Sequence, residues 1–366
     1  MTWMISNQAI NNFGRVQDTG KNSMVLLIGP EEISKIELKP LEVIAAVEDA
    51  YRQEGYGLAE ETPRLEIKIS GKDLPHISPG TTSVGHGMAY LKDSKVFVTS
   101  YAYHFDFHKY INQIIDPESG KTLAVIKRTR DAFGSRSNKI DTGMLRTGAA
   151  AAIGVKYMAN ETFETVGIIG TGRIGKGSLA CLDSIFDFEE IYTHSGRRRD
   201  EEFTAFMKDH VSAEIIPQDS IRDVVEKSEV IITGTYSQIP IVKGEWLKPG
   251  THISGMGADG PKKSELDTEV FRRASKIIVD SQKCLSIGEL RDALEKGVIN
   301  ERDIQGQIGQ VVAGKKKGRE NKSEITVFES DGTHIQSASV VNLIYRKAVE
   351  AGLGIEKEYS DFFVNP

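Results

Sequence analysis

A glycine-rich segment in the middle of the chain constrains the fold more than any other feature of this sequence. The apolar run Thr165–Ile169 is followed by Gly170, Gly172 and Gly175 in the spacing GxGxxG, and then by small and apolar residues. Such an apolar run is typical of a strand buried on both faces of a parallel sheet. Three glycines alone are a weak signal, but a strand before them and a helix after them supply the context of a dinucleotide-binding turn. We therefore predict that Gly170 makes the tight turn, Gly172 faces a pyrophosphate and Gly175 packs the helix on the strand.

The chain after this turn alternates between short apolar runs and polar, helix-permitting segments. The further strand-like runs are Glu190–His194, 230–234, 252–256 and 276–280. This alternation is typical of a parallel sheet with helices on both faces. We predict an α/β fold whose central part is a Rossmann-type doubly wound sheet.

The two ends of the chain have a different pattern. Residues 23–110 combine strand-like runs (64–69 and 95–101) with one helical segment, and Gly85 and Gly87 interrupt the stretch between those runs. A strand-like run at 325–328 and a helical segment at 338–351 close the chain. We predict that residues 1–146 and 320–366 form one discontinuous α+β domain, and that residues 147–319 form the dinucleotide-binding domain.

Charge and composition exclude several classes of function. The formal net charge of −6 gives no basic surface for a nucleic acid. No apolar run approaches the roughly 20 residues that span a bilayer, and residues 1–12 lack the pattern of a secretory signal. Cys181 and Cys284 cannot form a disulfide framework, and we expect both to be packing residues in a reducing compartment. We expect a soluble, cytoplasmic protein without nucleic-acid or membrane partners.

The end of the second central strand bears on which dinucleotide is bound. An acidic residue there would bond the ribose hydroxyls of NAD, but this chain has Ser195, Arg197 and Arg198. These residues favour NADP(H) over NAD(H), although arginines in a solvated turn remain the alternative. The other predicted cofactor contacts lie in the glycine-rich turn (Thr171, Arg173, Ile174) and at the ends of later strands (Thr235, Met256, Gly257).

No metal site is predicted. His104 and His108 lie close together in an aromatic stretch. Neither has a carboxylate or cysteine cluster at a recognised spacing, so aromatic packing is the favoured role.

Several segments together resemble the ornithine cyclodeaminase and mu-crystallin family. They are the helix start Arg146-Thr-Gly-Ala-Ala, Gly244-Glu-Trp-Leu-Lys-Pro-Gly-Thr, Gly257-Ala-Asp-Gly-Pro-Lys-Lys-Ser-Glu-Leu-Asp, Val279-Asp-Ser and Ile325-Thr-Val-Phe-Glu-Ser. Members of the family include cyclodeaminases, amino-acid dehydrogenases, imine reductases and opine-type reductases. The resemblance also implies a homodimer built through the non-Rossmann domain, which would bind the substrate.

The resemblance assigns a substrate site residue by residue. Arg64, Lys95 and Arg146 match the family's clamp for the substrate carboxylate, and Asp259 matches its acid/base residue, with Lys95 a second catalytic candidate. A guanidinium can hold a carboxylate through two parallel hydrogen bonds, and a lysine adds a point charge. We expect Asp259 to be partly buried, with a raised pKa suited to proton transfer. The alternative is that it only caps its loop.

Departures from the family pattern argue against ornithine as the substrate. His76 lies near the position of the cyclodeaminases' glutamate, and it could not attract a terminal ammonium group as a carboxylate does. An apparent insertion at residues 130–138 precedes Arg146 and could reshape the pocket. We predict an NAD(P)-dependent oxidoreductase acting on the C–N bond of an α-amino or α-imino acid. The alternatives are a cyclodeaminase-like lyase that uses NAD catalytically, and a mu-crystallin-like NADP(H)-binding protein with little catalysis.

Overall fold

A computed structural model describes residues 24–63, 65–69, 82–104, 108–129, 140–196 and 199–361. Within these ranges the strands are β1 Met24–Ile28, β2 Ala59–Glu61, β3 Leu65–Ile69, β4 Thr82–Leu91, β5 Val96–His104, β6 His108–Ile115, β7 Thr122–Thr129, β8 Thr165–Ile169, β9 Glu190–His194, β10 Glu214–Pro217, β11 Val230–Thr233, β12 Gln238–Val242, β13 His252–Gly255, β14 Ser264–Leu266, β15 Lys276–Val279, β16 Ile304–Gln307, β17 Thr326–Glu329 and β18 Ile355–Glu358. The α-helices are α1 Pro30–Lys35, α2 Pro40–Tyr56, α3 Thr142–Met158, α4 Arg173–Asp183, α5 Asp200–Met207, α6 Ile221–Lys227, α7 Thr268–Arg273, α8 Gly288–Glu295, α9 Ile308–Val312 and α10 His334–Glu350.

The first of two compact units combines residues 1–38, 57–141 and 334–366. Its sheet has the order β18-β1-β7-β6-β5-β4-β2, with β3 also paired to β4. β1 and β7 are parallel, whereas β4, β5, β6 and β7 form an antiparallel meander. Helix α10 packs across β4 and β5.

Strand β4 contains the two glycines that the sequence pattern treated as interruptions. Gly85, Gly87, Ala89 and Leu91 alternate as its buried positions. A Cβ atom at Gly87 would lie 2.0 Å from the imidazole of His334 in α10. The strand therefore has a glycine at position 87 because the helix that covers it comes too close for any side chain.

The second unit combines residues 39–56 and 142–333 and contains the predicted doubly wound sheet. All strands of this sheet are parallel, in the order β10-β9-β8-β11-β13-β17-β15-β16. Ile231, Ile253, Val327 and Ile277, from four neighbouring strands, are buried in one apolar core. β12 and β14 form a separate two-stranded sheet.

Two segments belong to the second unit although sequence order placed them in the first domain. Strand β17 lies between β13 and β15 in the parallel sheet, so the sheet continues beyond the predicted boundary at residue 319. Helix α2 packs on α9 so closely that a Cβ at Gly55 would lie 2.0 Å from the carbonyl oxygen of Gly309. Contacts from distant parts of the chain decide both placements.

Among the described residues, no helix combines the length and the apolar character needed to cross a membrane.

Candidate functional site

The glycine-rich turn has the tight turn at Gly170 and the close packing at Gly175 that its spacing predicted, and an open position at Gly172. Gly170 has φ +100°, and a Cβ there would lie 2.6 Å from the carbonyl oxygen of Gly234. A Cβ at Gly175 would lie 2.4 Å from the carbonyl oxygen of Gly170. At Gly172, by contrast, a Cβ would meet no described atom within 4 Å. The outer two glycines are thus required by protein packing, whereas Gly172 leaves an open surface for a ligand.

Helix α4 begins directly at this open surface. Its N-cap is Gly172, which offers no side-chain hydrogen bond to the first turn, and Arg173 and Ile174 are the first two helical residues. The first N–H groups of a helix have no partners within it, so they attract an anion. Thr171 is buried and its hydroxyl has no hydrogen-bond partner within the described structure. An open glycine, the N–H groups of a helix start and an unpartnered hydroxyl within the described structure fit the pyrophosphate of a dinucleotide.

The tip of β9 lies against the same turn, since Gly170 N donates to the carbonyl oxygen of His194 at 3.0 Å. Ser195 follows and is buried. The carboxylate of Asp200 is also held here, because it accepts Ser195 N at 3.0 Å and the Thr193 hydroxyl at 3.1 Å. A carboxylate therefore does lie near this strand tip, contrary to the expectation from the sequence, but it binds the chain's own turn. Asp200 lies six residues after the end of the strand, at the start of α5. An acidic residue at a helix start is the sequence feature that could have indicated this carboxylate.

The loops after four adjacent parallel strands meet at one edge of the sheet. In spatial order the strands are β8, β11, β13 and β17. They lead respectively to Gly170, Thr235, Met256–Gly257 and Gly332. Neighbouring strands lie about 4.8 Å apart, so these loops span on the order of 14 Å. The predicted cofactor contacts Thr235, Met256 and Gly257 thus share one edge with the glycine-rich turn.

Arg146 lies at the far end of this row of loops. It is in the first part of α3, which approaches α4 so closely that a Cβ at Gly148 would lie 2.2 Å from the carbonyl oxygen of Gly177. A Cβ at Gly332 would lie 2.7 Å from Nη1 of Arg146. The guanidinium therefore lies against the loop that follows β17.

Asp259 does not have the partial burial that we expected. It lies in the loop after β13, its side chain is 49% exposed, and it forms an ion pair with Lys263. The Lys263 ammonium also lies 4.6 Å from the ring centre of Tyr236. Asp259 is thus a solvent-accessible carboxylate held by a cation of its own loop, because the turn at residues 260–263 brings the lysine back over it.

Lys95 lies in the turn between β4 and β5, not within the strand predicted at 95–101. It has φ +50°, its side chain is 54% exposed, and its ammonium pairs with Glu118. The predicted substrate-binding and catalytic roles of Lys95 rest on the sequence alone. Arg64, His76, Arg197, Arg198 and the insertion at 130–138 lie outside the described residues.

One polar cluster of the first unit, formed by His86 and Thr99, was not predicted from the sequence. His86 Nε2 lies 2.7 Å from the hydroxyl of Thr99, and the His86 ring lies 4.5 Å from that of Tyr101. His86 is paired with Leu65, which directly follows Arg64 in sequence. The strand that carries His86 was obscured by its glycines, so the alternation that places these side chains on one face was not recognised.

A group of buried carboxylates lies beneath the carboxyl edge of the second sheet. Glu265, Glu289 and Glu329 are almost fully buried, and burial raises the pKa of each. The charge of Glu265 further raises the pKa of Glu289. One oxygen each of Glu289 and Glu329 has no hydrogen-bond partner within the described structure.

Asp280, Cys284 and Asp331 could bring one ligand atom each within 4.8 Å of one another. The protein itself already binds these atoms. Asp280 accepts the Ser330 hydroxyl at 2.6 Å and Gly332 N at 2.9 Å, and Asp331 is paired with Lys283. Burial, together with the Asp331 charge, raises the pKa of Asp280 to about 7. The arrangement anchors the 330–332 loop without needing a metal ion.

Comparisons with known proteins agree with this geometry. The sequence pattern of the ornithine cyclodeaminase/mu-crystallin family matches residues 31–352. An alanine dehydrogenase from Archaeoglobus fulgidus is 32% identical over 337 residues, which cover 90% of this chain and 97% of the relative.

Two solved structures extend the comparison to the fold. The structure of an archaeal alanine dehydrogenase dimer with bound NAD is 29% identical, with a TM-score of 0.80, and covers 93% of this chain and 100% of its own. The Thermococcus litoralis Δ1-pyrroline-2-carboxylate reductase, solved with NADH and L-proline, is 29% identical with a TM-score of 0.77, over 90% of this chain and 99% of its own.

Proposed function

The chain belongs to the ornithine cyclodeaminase/mu-crystallin family, and from this premise we propose that it is a nicotinamide-dependent oxidoreductase acting on the C–N bond of an α-amino or α-imino acid. The relatives named as an alanine dehydrogenase and a Δ1-pyrroline-2-carboxylate reductase both act on such compounds. The observation that carries the proposal is the row of loops from Gly170 to Gly332. It aligns a dinucleotide-binding turn, the loop of Asp259 and the guanidinium of Arg146 along one sheet edge.

The proposed cofactor contacts divide between the pyrophosphate and the rest of the dinucleotide. Backbone N–H groups at the start of α4 and the open surface of Gly172 receive the phosphates. The loops at Thr235 and at Met256–Gly257 lie along the same edge toward Asp259, where the nicotinamide end of the cofactor would bind. A bound nicotinamide supplies the hydride for reduction of a C=N bond, or accepts it in the reverse direction.

For the dinucleotide we propose a preference for NADP(H) over NAD(H). The Asp200 carboxylate is bonded to Ser195 N and Thr193, so it holds the chain's own turn, and the residues at the strand tip itself are Ser195, Arg197 and Arg198. Ser195, Arg197 and Arg198 would instead bind a 2′-phosphate. Replacing both arginines by alanine should weaken NADPH binding about tenfold or more and leave NADH binding nearly unchanged. An NADH affinity above that for NADPH in the unaltered protein would exclude this preference.

For the substrate we propose that Arg146 and Arg64 hold the carboxylate group, which orients the reacting carbon. The Asp259 carboxylate, paired with Lys263, removes the proton from the nitrogen on oxidation. On reduction it first takes up a proton from solvent, to which it is accessible, and passes that proton to the nitrogen. Holding the reactants together accelerates the transfer because a bimolecular step becomes effectively unimolecular.

We further propose that the protein is a homodimer formed through its first unit. The alanine dehydrogenase of known structure is a dimer, and the first unit exposes Leu65 and Ile67 on β3. Burying such side chains against a second copy would remove apolar surface from water.

The deciding experiment follows nicotinamide absorbance while the purified protein is mixed with NADPH, and separately with NADH. The substrates would be cyclic imino acids, and 2-oxo acids with ammonia or amines. We expect oxidation of the reduced cofactor with at least one compound, lost in Arg146→Ala. If no compound reacts, ammonia release from diamino acids would indicate a cyclodeaminase. Dinucleotide binding with neither reaction would indicate a binding protein.

A further inference from the structure

A single buried carboxylate joins two of the loops that line the proposed cofactor site. Glu265 is 0% exposed and lies in β14, outside the main parallel sheet. Its carboxylate accepts Thr235 N at 2.5 Å, the Thr233 hydroxyl at 2.9 Å and Gly257 N at 2.8 Å. All three donors lie at the carboxyl ends of the adjacent strands β11 and β13.

The bond to Thr235 connects this carboxylate to the glycine-rich turn. A Cβ at Gly170 would lie 2.8 Å from Cγ2 of Thr235, and a Cβ at Gly234 would lie 2.7 Å from Cγ2 of Ile174. The 234–235 segment therefore packs directly on the turn that receives the phosphates. A displacement of this segment would be transmitted to Gly170 and to the start of α4.

The bond to Gly257 connects the same carboxylate to the loop of Asp259. A Cβ at Gly257 would lie 2.4 Å from Oε2 of Glu265, so the absence of a side chain there lets the carboxylate reach the backbone N–H. Asp259 follows two residues later. One group therefore fixes the distance between the phosphate end and the proton-transfer end of the site.

We infer that Glu265 is a positioning residue that holds the 233–235 and 256–257 segments in the arrangement that binds the dinucleotide. The inference rests on the proposed function, since it assigns Glu265 to the same site. Two backbone N–H groups and a hydroxyl need an acceptor, and the two carboxyl oxygens of Glu265 accept all three bonds. These bonds favour the charged form and oppose the burial that raises the pKa of Glu265. A glutamine would turn an N–H₂ group toward at least one N–H group and leave that donor unsatisfied.

The test compares Glu265→Gln with Glu229→Gln as a matched control. Glu229 makes the same kind of bonds at the opposite edge of the same sheet, accepting Glu164 N at 2.7 Å and Thr165 N at 3.3 Å. Thr233→Val is a milder variant in case Glu265→Gln does not fold. It removes the hydroxyl that donates to Glu265 and keeps nearly the same side-chain shape. The readouts are amide hydrogen exchange of the dinucleotide-free protein and the Kd for NADPH and NADH from nicotinamide fluorescence.

We expect Glu265→Gln to speed exchange at Thr235 and Gly257 and to raise the dinucleotide Kd about tenfold. Thr233→Val should raise it by a smaller factor, and Glu229→Gln should change neither readout. Unchanged exchange at both amides in Glu265→Gln and Thr233→Val would overturn the inference, as would an unchanged Kd. An unaltered protein that binds neither dinucleotide would instead refute the proposed function, and the exchange measurement would still show whether Glu265 holds the loops.

Discussion

At the level of single residues, the three glycines of the dinucleotide turn face different surroundings. Gly170 has a positive φ, which favours glycine. At Gly175 a Cβ would lie 2.4 Å from the carbonyl oxygen of Gly170. Gly172 has ordinary backbone angles, with φ −90°, and open space beside it. The protein's own packing therefore accounts for Gly170 and Gly175, whereas no described atom lies against a Cβ at Gly172, which leaves that position open to a ligand.

This difference predicts opposite effects of two alanine substitutions. Gly172→Ala should leave the free energy of unfolding within about 0.5 kcal/mol of its original value, and should weaken dinucleotide binding about tenfold or more because the Cβ occupies the ligand's approach. Gly175→Ala should lower the free energy of unfolding by about 1–3 kcal/mol through overpacking. Thermal unfolding and fluorescence titration measure the two quantities. A stability loss in Gly172→Ala equal to that in Gly175→Ala would contradict this assignment.

The exposed carboxylate of Asp259 leads to a prediction about rate rather than stability. Asp259→Asn keeps the shape of the side chain but cannot transfer a proton, so kcat should fall about 10²- to 10⁴-fold with little change in dinucleotide Kd. Asp267→Asn is the matched control, because Asp267 accepts Gly244 N at 2.9 Å and Val270 N at 3.1 Å and caps α7. The control should keep most of its stability, because an asparagine Oδ1 can accept both N–H groups, and it should keep its kcat. Equal kcat values for Asp259→Asn and the unaltered protein would exclude the proton-transfer role.

At the level of helices and strands, the sequence was most informative for the apolar strands of the parallel sheet. Strands β8 and β9 have the bounds that were predicted, because an uninterrupted or alternating apolar run is visible in any context. β17 was also recognisable as a strand, but its place between β13 and β15 depends on partners more than 40 residues away in sequence. The periodicity of a segment indicates how much of it is buried, and not which sheet buries it.

Strand β4 was missed for a reason that lies in another element. Its glycines suggested an interrupted segment, since glycine in a strand usually weakens it. The buried side of β4 is instead occupied by His334 of α10, which substitutes for the missing side chain. The contacts of His86 with Thr99 and Tyr101 were not predicted either, because they depend on recognising β4 as a strand.

The contact between Gly87 and His334 predicts a recoverable loss of stability. Gly87→Ala should lower the free energy of unfolding by about 1–3 kcal/mol, because the added Cβ would overlap the imidazole. Combining it with His334→Ala should restore part of that loss, since the smaller side chain leaves room. A double-mutant cycle on thermal unfolding measures the coupling between the two sites. If the stability losses of the two substitutions are strictly additive, the His334 imidazole does not restrict the side chain at position 87.

At the level of the whole molecule, the two units present different apolar surfaces to solvent. Ile67 of β3 is 72% exposed and Leu65 is 62% exposed, both in the first unit. In the second unit, Ile239 of β12 is 70% exposed. Single exposed apolar residues are normal on protein surfaces, so exposure alone does not identify an interface. Leu65 and Ile67 differ from Ile239 because they neighbour each other on one face of an open sheet.

The difference between these surfaces allows the proposed dimer to be tested with a single charge placed in either unit. Ile67→Lys should convert the dimer to a monomer, because a lysine buried between two copies loses its hydration and has no partner. Ile239→Lys adds the same charge at an equally exposed strand residue of the other unit, and should leave the dimer intact. Light scattering coupled to size-exclusion chromatography gives the mass of each species directly. If Ile67→Lys stays dimeric while Ile239→Lys dissociates, the interface lies on the dinucleotide-binding unit. A monomeric unaltered protein would show instead that the face bearing Leu65 and Ile67 does not hold two copies together.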